Sequence, residues 1–385
     1  MSKTIKLLLA FVLFGYVAIA QNEEDAKPEL SITGSVDAYF RANLGSEATQ
    51  VPATSFANSP GFSLGMVNLV LGMEGEKAGF VADFVFGPRG GDAVFGSASI
   101  LDLNGDGVAD FSAPNASTMV NQLYAYWNVN DKVTLTLGNF NTFLGYEVIS
   151  PTANFNYSTS YMFSYGPFSH TGLKADIALS DDSNLMFSIM NPTDATEFNP
   201  IGSYTLGAQF GYKGVYFNML YGDQDGKLDE NSADGDTSAG TTFQADITAG
   251  FDLTDELYLG LNATYNATGA GETVSGAIIN ENTGDPSTFL GAAAYLQYAV
   301  TDAFAVGTRI EYFAETNYYL GTVALDNNGN GSVIDLTLTG QYKVGGLTVI
   351  PEFRLDSASE NTFLNTSNNL SKNMSSFVLA AVYAF

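Results

Sequence analysis

The stretch Phe243-Gln-Ala-Asp-Ile-Thr-Ala-Gly-Phe251 alternates strictly between two kinds of residue. Its odd-numbered positions are apolar, and its even-numbered positions are Gln, Asp, Thr and Gly. Successive side chains of a β-strand point to opposite faces, so this segment predicts a strand with one apolar and one polar face. Residues 347–356 repeat the pattern, with Leu, Val, Pro, Phe and Leu on one face. The chain is therefore predicted to consist of amphipathic strands.

The same alternation recurs sixteen times between residue 30 and the C-terminus. Most of the runs are ~9–12 residues long, the length that a tilted strand needs to cross a bilayer. Strands of soluble proteins are usually shorter, at ~5–6 residues. The predicted spans are 30–41, 62–74, 77–87, 118–129, 132–141, 168–180, 183–191, 203–212, 215–222, 241–253, 256–268, 287–300, 303–315, 331–343, 346–357 and 375–385.

The connections between these runs are alternately tight and long. Seven are tight turns such as Asn130-Asp131 and Lys213-Gly214, and eight are long and rich in Gly, Asn, Asp and Ser. Outer-membrane barrels have short periplasmic turns and long external loops, and a sheet can span hydrocarbon only if it closes. The predicted fold is therefore all-β: a transmembrane antiparallel β-barrel of about 16 strands, with both termini on the periplasmic side.

The N-terminus has the three parts of an export signal. Lys3 and Lys6 precede the apolar run Leu7–Ile19, and Ala18-Ile19-Ala20 supplies a small-x-small cleavage pattern. The alternative, a transmembrane anchor, is disfavoured because the run is shorter than the ~20 residues that span a bilayer. We predict a signal peptide at 1–20, a short periplasmic segment at 21–29 and the barrel at 30–385, in the outer membrane of a Gram-negative bacterium. The segment 21–29 is too short for a plug domain.

The composition excludes several classes of function. The 385 residues include 41 Asp and Glu against 14 Lys and Arg, with one His and no Cys, and the formal net charge is -27. Disulfides, thiolate metal sites and multi-histidine metal sites are therefore excluded. Nucleic acid is not an expected partner, because phosphate binding needs clustered basic residues. Outer-membrane lipid is expected to surround the barrel, and no cofactor is required.

The last run ends the chain on an aromatic residue. In Phe377-Val-Leu-Ala-Ala-Val-Tyr-Ala-Phe385 the odd positions share one face. A terminal Phe after an alternating strand resembles the signal that the barrel-assembly machinery reads, which makes that machinery a predicted partner.

One segment resembles a known family. Gly138-Asn-Phe-Asn-Thr-Phe-Leu-Gly-Tyr-Glu147 leads to Pro151, to Asn154-Phe-Asn-Tyr-Ser158 and then to Gly166-Pro-Phe-Ser-His-Thr-Gly172. This segment resembles the putative beta-barrel porin 2 (OmpL-like) family of Gram-negative outer membranes. The resemblance implies a porin-type role and transfers no catalytic residues. The homotrimer that many sixteen-strand porins form is left open.

The connection between the fifth and sixth runs is unusually aromatic for a loop. An apolar loop of this kind is not expected to extend into water, so we predict that it packs inside the barrel mouth and narrows the pore. The alternative is an external loop packed on its neighbours. The residues assigned to this constriction are Phe143, Tyr146, Glu147, Tyr157, Tyr161 and His170.

Strand parity assigns a set of charges to the polar inner face. Acids outnumber bases by eight to four, and charged rings select ions by their field, so mild cation selectivity is predicted. An internal ladder of paired charges is one interpretation, and plain solvation of the lumen is the other. The predicted pore-lining residues are Asp37, Arg41, Asp83, Lys174, Asp176, Asp246, Arg309, Glu311, Asp335, Glu352, Arg354 and Asp356.

A candidate calcium loop lies between the third and fourth runs. Asp102, Asn104, Asp106 and Asp110 resemble the first half of such a loop, but position twelve is Ala113 rather than the bidentate Glu. Residues 326–331 are a weaker copy. The alternative in both places is ordinary turn chemistry, so Ca²⁺ in an external loop is predicted only as an optional ligand.

These observations favour a porin that passes small hydrophilic solutes passively through a water-filled channel. The alternative is an uptake barrel that prefers sugars or peptides, with Tyr124, Tyr126, Tyr216 and Tyr295 on its inner face. A loop-displaying adhesin is a third interpretation. No enzyme is predicted, because His170 has no nucleophile motif beside it.

Overall fold

The computed structural model describes residues 29–94, 119–199, 202–224, 240–269, 273–274, 277–278, 285–317 and 321–385. The elements, in chain order, are β1 (Glu29–Asn43), β2 (Gly61–Glu74), β3 (Ala78–Phe86), α1 (Pro88–Ala93), β4 (Val120–Asn130), β5 (Val133–Asn141), α2 (Tyr161–Tyr165), β6 (Ser169–Ser180), β7 (Ser183–Met190), β8 (Thr205–Tyr212), β9 (Val215–Gly222), β10 (Thr242–Asp252), β11 (Leu257–Thr268), β12 (Thr273–Val274), β13 (Ala277–Ile278), β14 (Ser287–Thr301), β15 (Phe304–Thr316), β16 (Gly331–Val344), β17 (Leu347–Ala358), β18 (Phe363–Leu364), β19 (Leu370–Ser371) and β20 (Asn373–Ala384).

The sixteen long strands form one closed antiparallel barrel, while β12–β13 and β18–β19 are short hairpins within loops. Every barrel strand pairs with its neighbours along the chain, and β1 closes the barrel by pairing with β20. Gly34 and Phe385 exchange two backbone hydrogen bonds of 3.0 Å at this seam. The predicted fold is confirmed, and no predicted boundary is off by more than two residues.

The outer surface of the barrel is apolar, as a lipid-facing wall requires. Leu137, Leu206 and Ile310 are among the large apolar side chains that stay exposed along the strands. Tyr212 and Tyr265 are also exposed, whereas Tyr258 turns inward and hydrogen-bonds the hydroxyl of a loop tyrosine. No helix within the described ranges is long and apolar enough to cross a membrane.

The interior contains a packed apolar cluster as well as polar residues. Tyr161 and Met162 of α2 pack against Phe289 of β14, Phe313 of β15 and Val333 of β16. A barrel of sixteen strands has room for such insertions. The loop that carries α2 is therefore the feature that shapes the interior. The predicted signal peptide and residues 21–28 lie outside the described part of the chain.

Candidate functional site

The segment between β5 and β6, residues 142–168, folds back into the barrel. Its centre is α2, a single helical turn. Ser160 caps the N-terminus of this turn, and its hydroxyl accepts a hydrogen bond from the backbone N–H of Phe163 at 3.0 Å. Tyr157 is 1% exposed and Tyr161 is 0% exposed. This segment is called the inner loop below.

Two glutamates of the barrel wall hold the backbone of the inner loop. Glu352 of β17 accepts the N–H groups of residues 157–158 at 2.8 and 3.1 Å. Glu311 of β15 accepts those of residues 161–162, both at 2.8 Å. Hydrogen bonds to a charged acceptor are stronger than neutral ones. Consecutive N–H groups on one carboxylate therefore fix the loop's position and its orientation.

Arg309 of β15 provides the positively charged contact between the inner loop and the barrel wall. Its guanidinium lies 2.7 Å from the carboxylate of Glu147 and 2.6 Å from that of Asp335, and it donates to the carbonyl of Ser158 at 2.8 Å. All three charged side chains are essentially inaccessible to water. A buried charge is tolerated when it is paired and hydrogen-bonded in this way.

Arg354 of β17 makes a second, parallel set of contacts. It pairs with Asp356 at 2.7 Å and donates to the carbonyl of Thr159 at 2.7 Å. Asp356 also accepts the Tyr161 hydroxyl at 3.0 Å. The two arginines thus hold consecutive carbonyls of the inner loop, while the two glutamates hold the N–H groups on either side.

Other inner-loop contacts reach different strands. Asp246 of β10 accepts the N–H of Gly145 at 3.0 Å, and Asp37 of β1 accepts the Tyr157 hydroxyl. Tyr146 stacks on Tyr295 of β14 with ring centroids 4.2 Å apart. The loop is therefore anchored on both sides of the barrel seam and on the wall formed by β10, β14, β15 and β17.

Burial changes the acid–base behaviour of the inner loop itself. Desolvation raises the pKa of the Tyr146 hydroxyl, and that of the Tyr157 hydroxyl, above the ordinary range. The carboxylate of Asp37 adds to this effect at Tyr157. Both side chains therefore stay neutral hydrogen-bond donors at any physiological pH.

Two further segments pack against the inner loop. In the connection between β1 and β2, the N–H of Ser55 donates to the hydroxyl of Ser164 at 2.7 Å. On α1, Arg89 donates to the carbonyls of Ile149 and Tyr157 at 3.0 and 3.2 Å. Sequence reasoning missed Arg89, because it lies outside any alternating run and carries no motif.

The twelve predicted pore-lining charges divide into two groups. Lys174 and Asp176 remain partly exposed and form an ion pair of 3.2 Å. The other ten are buried. Arg41 donates to the backbone carbonyl of Gln50 at 3.2 Å, and the others contact the inner loop or neighbouring side chains. The ten are Asp37, Arg41, Asp83, Asp246, Arg309, Glu311, Asp335, Glu352, Arg354 and Asp356. Their part in conduction stays a prediction.

His170 lies at the start of β6 and is completely buried. Its Nε2 is 3.0 Å from the Thr142 hydroxyl, and its ring lies 5.2 Å from that of Phe143. Through these contacts the histidine packs against the inner loop where the loop joins β6. Both predicted ends of the constriction, Glu147 and His170, therefore take part in holding the loop.

The calcium candidates differ in what the structure says about them. Asp102, Asn104, Asp106 and Asp110 lie outside the described residues, so a site there stays a prediction. In the weaker copy, Asp326 Oδ1 accepts the N–H groups of residues 328 and 330 at 2.8 and 3.0 Å, which is turn chemistry. The described ranges contain no cluster of three or more carboxylate or histidine ligands that could hold a metal ion.

Comparison with known proteins agrees with this architecture. The outer-membrane channel DcaP of Acinetobacter baumannii is 12% identical, with 94% of this chain and 99% of that chain covered and a TM-score of 0.54. In-vitro folded OmpT of Vibrio cholerae, in a trimer form, is 10% identical, with 94% and 100% covered and a TM-score of 0.51. Identities this low show a shared fold only.

The sequence matches none of the curated proteins with which it was compared. It does match one family, described as putative beta-barrel porin-2, OmpL-like, over residues 29–385. The match covers the entire barrel, including the inner loop whose residues resemble that family. The chain therefore belongs to the putative beta-barrel porin-2, OmpL-like family, and its fold is that of an outer-membrane channel.

Proposed function

We propose that the protein is a porin that passes small hydrophilic solutes passively across the outer membrane of a Gram-negative bacterium, with a mild preference for cations. The observation that carries this proposal is a closed sixteen-strand barrel with an apolar outer wall and a hydrogen-bonding inner wall. Such a barrel is wide enough for an aqueous path. The electrostatic field inside the barrel and the inner loop then determine which solutes pass.

The preference for cations is supported by the charge inside the barrel. Among the buried charged residues of the described chain, ten are acids and four are arginines. Around the inner loop lie six of these acids, against the four arginines: Asp37, Glu147, Glu311, Asp335, Glu352 and Asp356. Excess negative charge between low-dielectric walls raises the local concentration of cations.

Planar-bilayer recording in a KCl gradient tests this preference. The reversal potential should have the sign of a cation current. A reversal potential of the anion sign would reject the cation preference. Silent membranes, with folded protein shown by the heat-dependent shift of a barrel on a gel, would reject the channel itself and favour the adhesin interpretation.

The inner loop is proposed as the constriction. Deleting residues 148–164 should raise the single-channel conductance, because this segment fills the barrel between β10 and β17. Deleting the turn 326–330, which is held by its own backbone, is the matched control and should leave conductance unchanged. Equal conductance in the wild type and the loop deletion would refute the constriction.

Sugar or peptide uptake remains the second candidate. Tyr124, Tyr126 and Tyr216 keep partial exposure, which suits a stacking path for sugars. Tyr295 does not, because it is 2% exposed and stacked on Tyr146. Saturable, ligand-blocked currents would favour this function over free diffusion.

Assembly belongs to the same proposal. We expect a homotrimer in the membrane and recognition of the C-terminal strand by the barrel-assembly machinery. Mass measurement of the detergent-extracted protein tests the first expectation. Replacing Phe385 with serine and measuring the amount of folded barrel in the outer membrane tests the second, and unchanged insertion would contradict it.

A further inference from the structure

The inner loop covers one side of the barrel interior more completely than the other. On β14, β15 and β17 the inward side chains beneath the loop are closed off from water: Tyr295 is 2% exposed, Arg309 0% and Glu352 1%. On β4–β6 several inward residues keep partial exposure. The interior therefore has accessible space beside β4–β6 that packing denies to solutes at the wall of β14–β17.

This accessible space continues along the wall of β4–β6. A cavity of about 430 Å³ lies between residues 148–153 of the inner loop and strands β1–β5, and Gln122 of β4 is part of its wall. Tyr124, the next inward residue of β4, pairs with Gly138 of β5, which in turn pairs with Gly172 of β6. All three residues of this row are partly exposed. The cavity and the inner face of β6 are therefore joined by wall that the inner loop leaves accessible.

The next inward residues of β6 are charged. The side chains of Lys174 and Asp176 are 25% and 40% exposed, and their charged groups are 3.2 Å apart. The ammonium of Lys174 also lies 5.2 Å from the ring centroid of Phe140 on β5, a distance at which a cation is attracted to an aromatic face. Both charges are thus held at the accessible wall, within reach of a solute.

The buried charges of the interior cannot meet a solute in this way. Arg309 is enclosed by two carboxylates, and Glu311 accepts two backbone N–H groups of the inner loop. Such groups act on a passing ion only through their field. Lys174 and Asp176 can contact a hydrated ion directly, because residues two positions apart on a strand share one face.

We propose that solutes cross the barrel along β4–β6, between this wall and the inner loop, and that Lys174 and Asp176 set the ion selectivity of this path. The proposal rests on the porin function and names its selectivity-determining residues. Asp176 attracts cations and Lys174 repels them. Because the two charges are adjacent, their effects largely cancel, which keeps the preference for cations mild.

Reversal potentials in a KCl gradient, at about 0.1 M salt or less so that screening is limited, test the two charges separately. A unit charge ~8 Å from an ion in water changes the local concentration of that ion about twofold, in opposite directions for cations and anions. Lys174→Met should therefore raise the K⁺-to-Cl⁻ permeability ratio by roughly two- to fivefold, and Asp176→Asn should lower it by a similar factor. Both variants should fold, because a partly exposed ion pair contributes little to stability.

Lys213→Met is the matched control. Lys213 forms an ion pair of 3.6 Å with Asp182 between two of the short turns, and its ammonium lies 5.5 Å from the ring of the outward-facing Tyr212. The substitution removes the same charge from an ion pair outside the proposed path, so it should leave the permeability ratio unchanged. A shift as large as that of Lys174→Met would assign the effect to the general field of the protein and overturn the proposal.

Cysteine accessibility tests the path itself, because the chain has no cysteine of its own. Lys174→Cys should react with a negatively charged methanethiosulfonate reagent, and the current should change as it reacts. Ala293→Cys, at an inward position of β14 that is 6% exposed, should stay unmodified. Equal modification of both cysteines, or unchanged selectivity in both charge variants of a conducting protein, would overturn the path and leave the porin function intact. Membranes without any current would instead reject the porin function.

Discussion

Replacing Glu311 with alanine should release part of the inner loop from the barrel wall. The carboxylate accepts the N–H groups of residues 161–162, both at 2.8 Å, at the start of α2. In the variant these two buried donors have no acceptor. Arg309 still keeps its two direct carboxylate partners, Glu147 and Asp335, so the rest of the charge cluster is expected to persist.

The size of the effect follows from the number of donors left unpaired. A buried N–H without an acceptor costs about 1–3 kcal/mol, so two cost about 2–6 kcal/mol. At about 1.4 kcal/mol per tenfold, the ratio of docked to released loop should fall by about 30-fold or more. Removing one buried negative charge from an acidic cluster works in the opposite direction. The lower end of this range is therefore expected.

Chymotrypsin provides the assay, because the inner loop is rich in Tyr and Phe. The folded protein in detergent is digested briefly, and cleavage between residues 155 and 165 is measured by mass spectrometry. Susceptibility should rise from wild type to Glu311→Gln, which keeps one acceptor oxygen, and again to Glu311→Ala. Single-channel conductance of the alanine variant should become larger or noisier.

Glu360→Ala changes the same residue type in the external loop after β17 and serves as the control. A Glu311→Ala protein whose inner loop resists protease as the wild type does, with unchanged conductance, would refute the role of this carboxylate.

Three further substitutions test other parts of the interior. Arg309→Met leaves the buried carboxylate of Glu147 without its ion-pair partner and that of Asp335 with only Arg354, 3.6 Å away. The detergent-solubilised barrel should therefore lose about 3–5 kcal/mol of stability, read as a lower unfolding temperature by circular dichroism, and no decrease would contradict the role of Arg309 in holding the inner loop. Burial raises the pKa of Asp194, in the loop after β7, to about 6, so the free energy of unfolding should fall as pH rises from 4 to 7, by at most about 3 kcal/mol. Asp194→Asn should remove that slope and be more stable than the wild type at pH 7.5, which urea titrations at the two pH values would show. A Cβ on Gly260 would lie 2.5 Å from a ring carbon of Tyr146, so Gly260→Ala should displace the ring and cost about 1–3 kcal/mol, whereas Gly91→Ala, which meets open space, should not.

The amphipathic strands and their connections were readable from sequence because they depend on local rules. Side-chain parity and turn chemistry act over a few residues, and they predicted all sixteen strands. Parity also assigned Asp335, Glu352 and Arg354 to the polar side, and they are buried inside the barrel. The aromatic composition of residues 142–168 indicated a loop that would not extend into water.

Only the tertiary structure decided what those inward charges contact. Glu311 and Glu352 bind loop N–H groups that are 149 to 195 residues away in the chain, and Arg309 holds carbonyls about 150 residues away. Arg89 joins the same cluster from a helix of six residues that no periodicity marks. A strand's own sequence fixes which face a charge occupies, because the pleat has a period of two. It cannot fix whether water or a folded loop covers that face, because this depends on the free energy of pairing distant backbone groups inside a closed barrel.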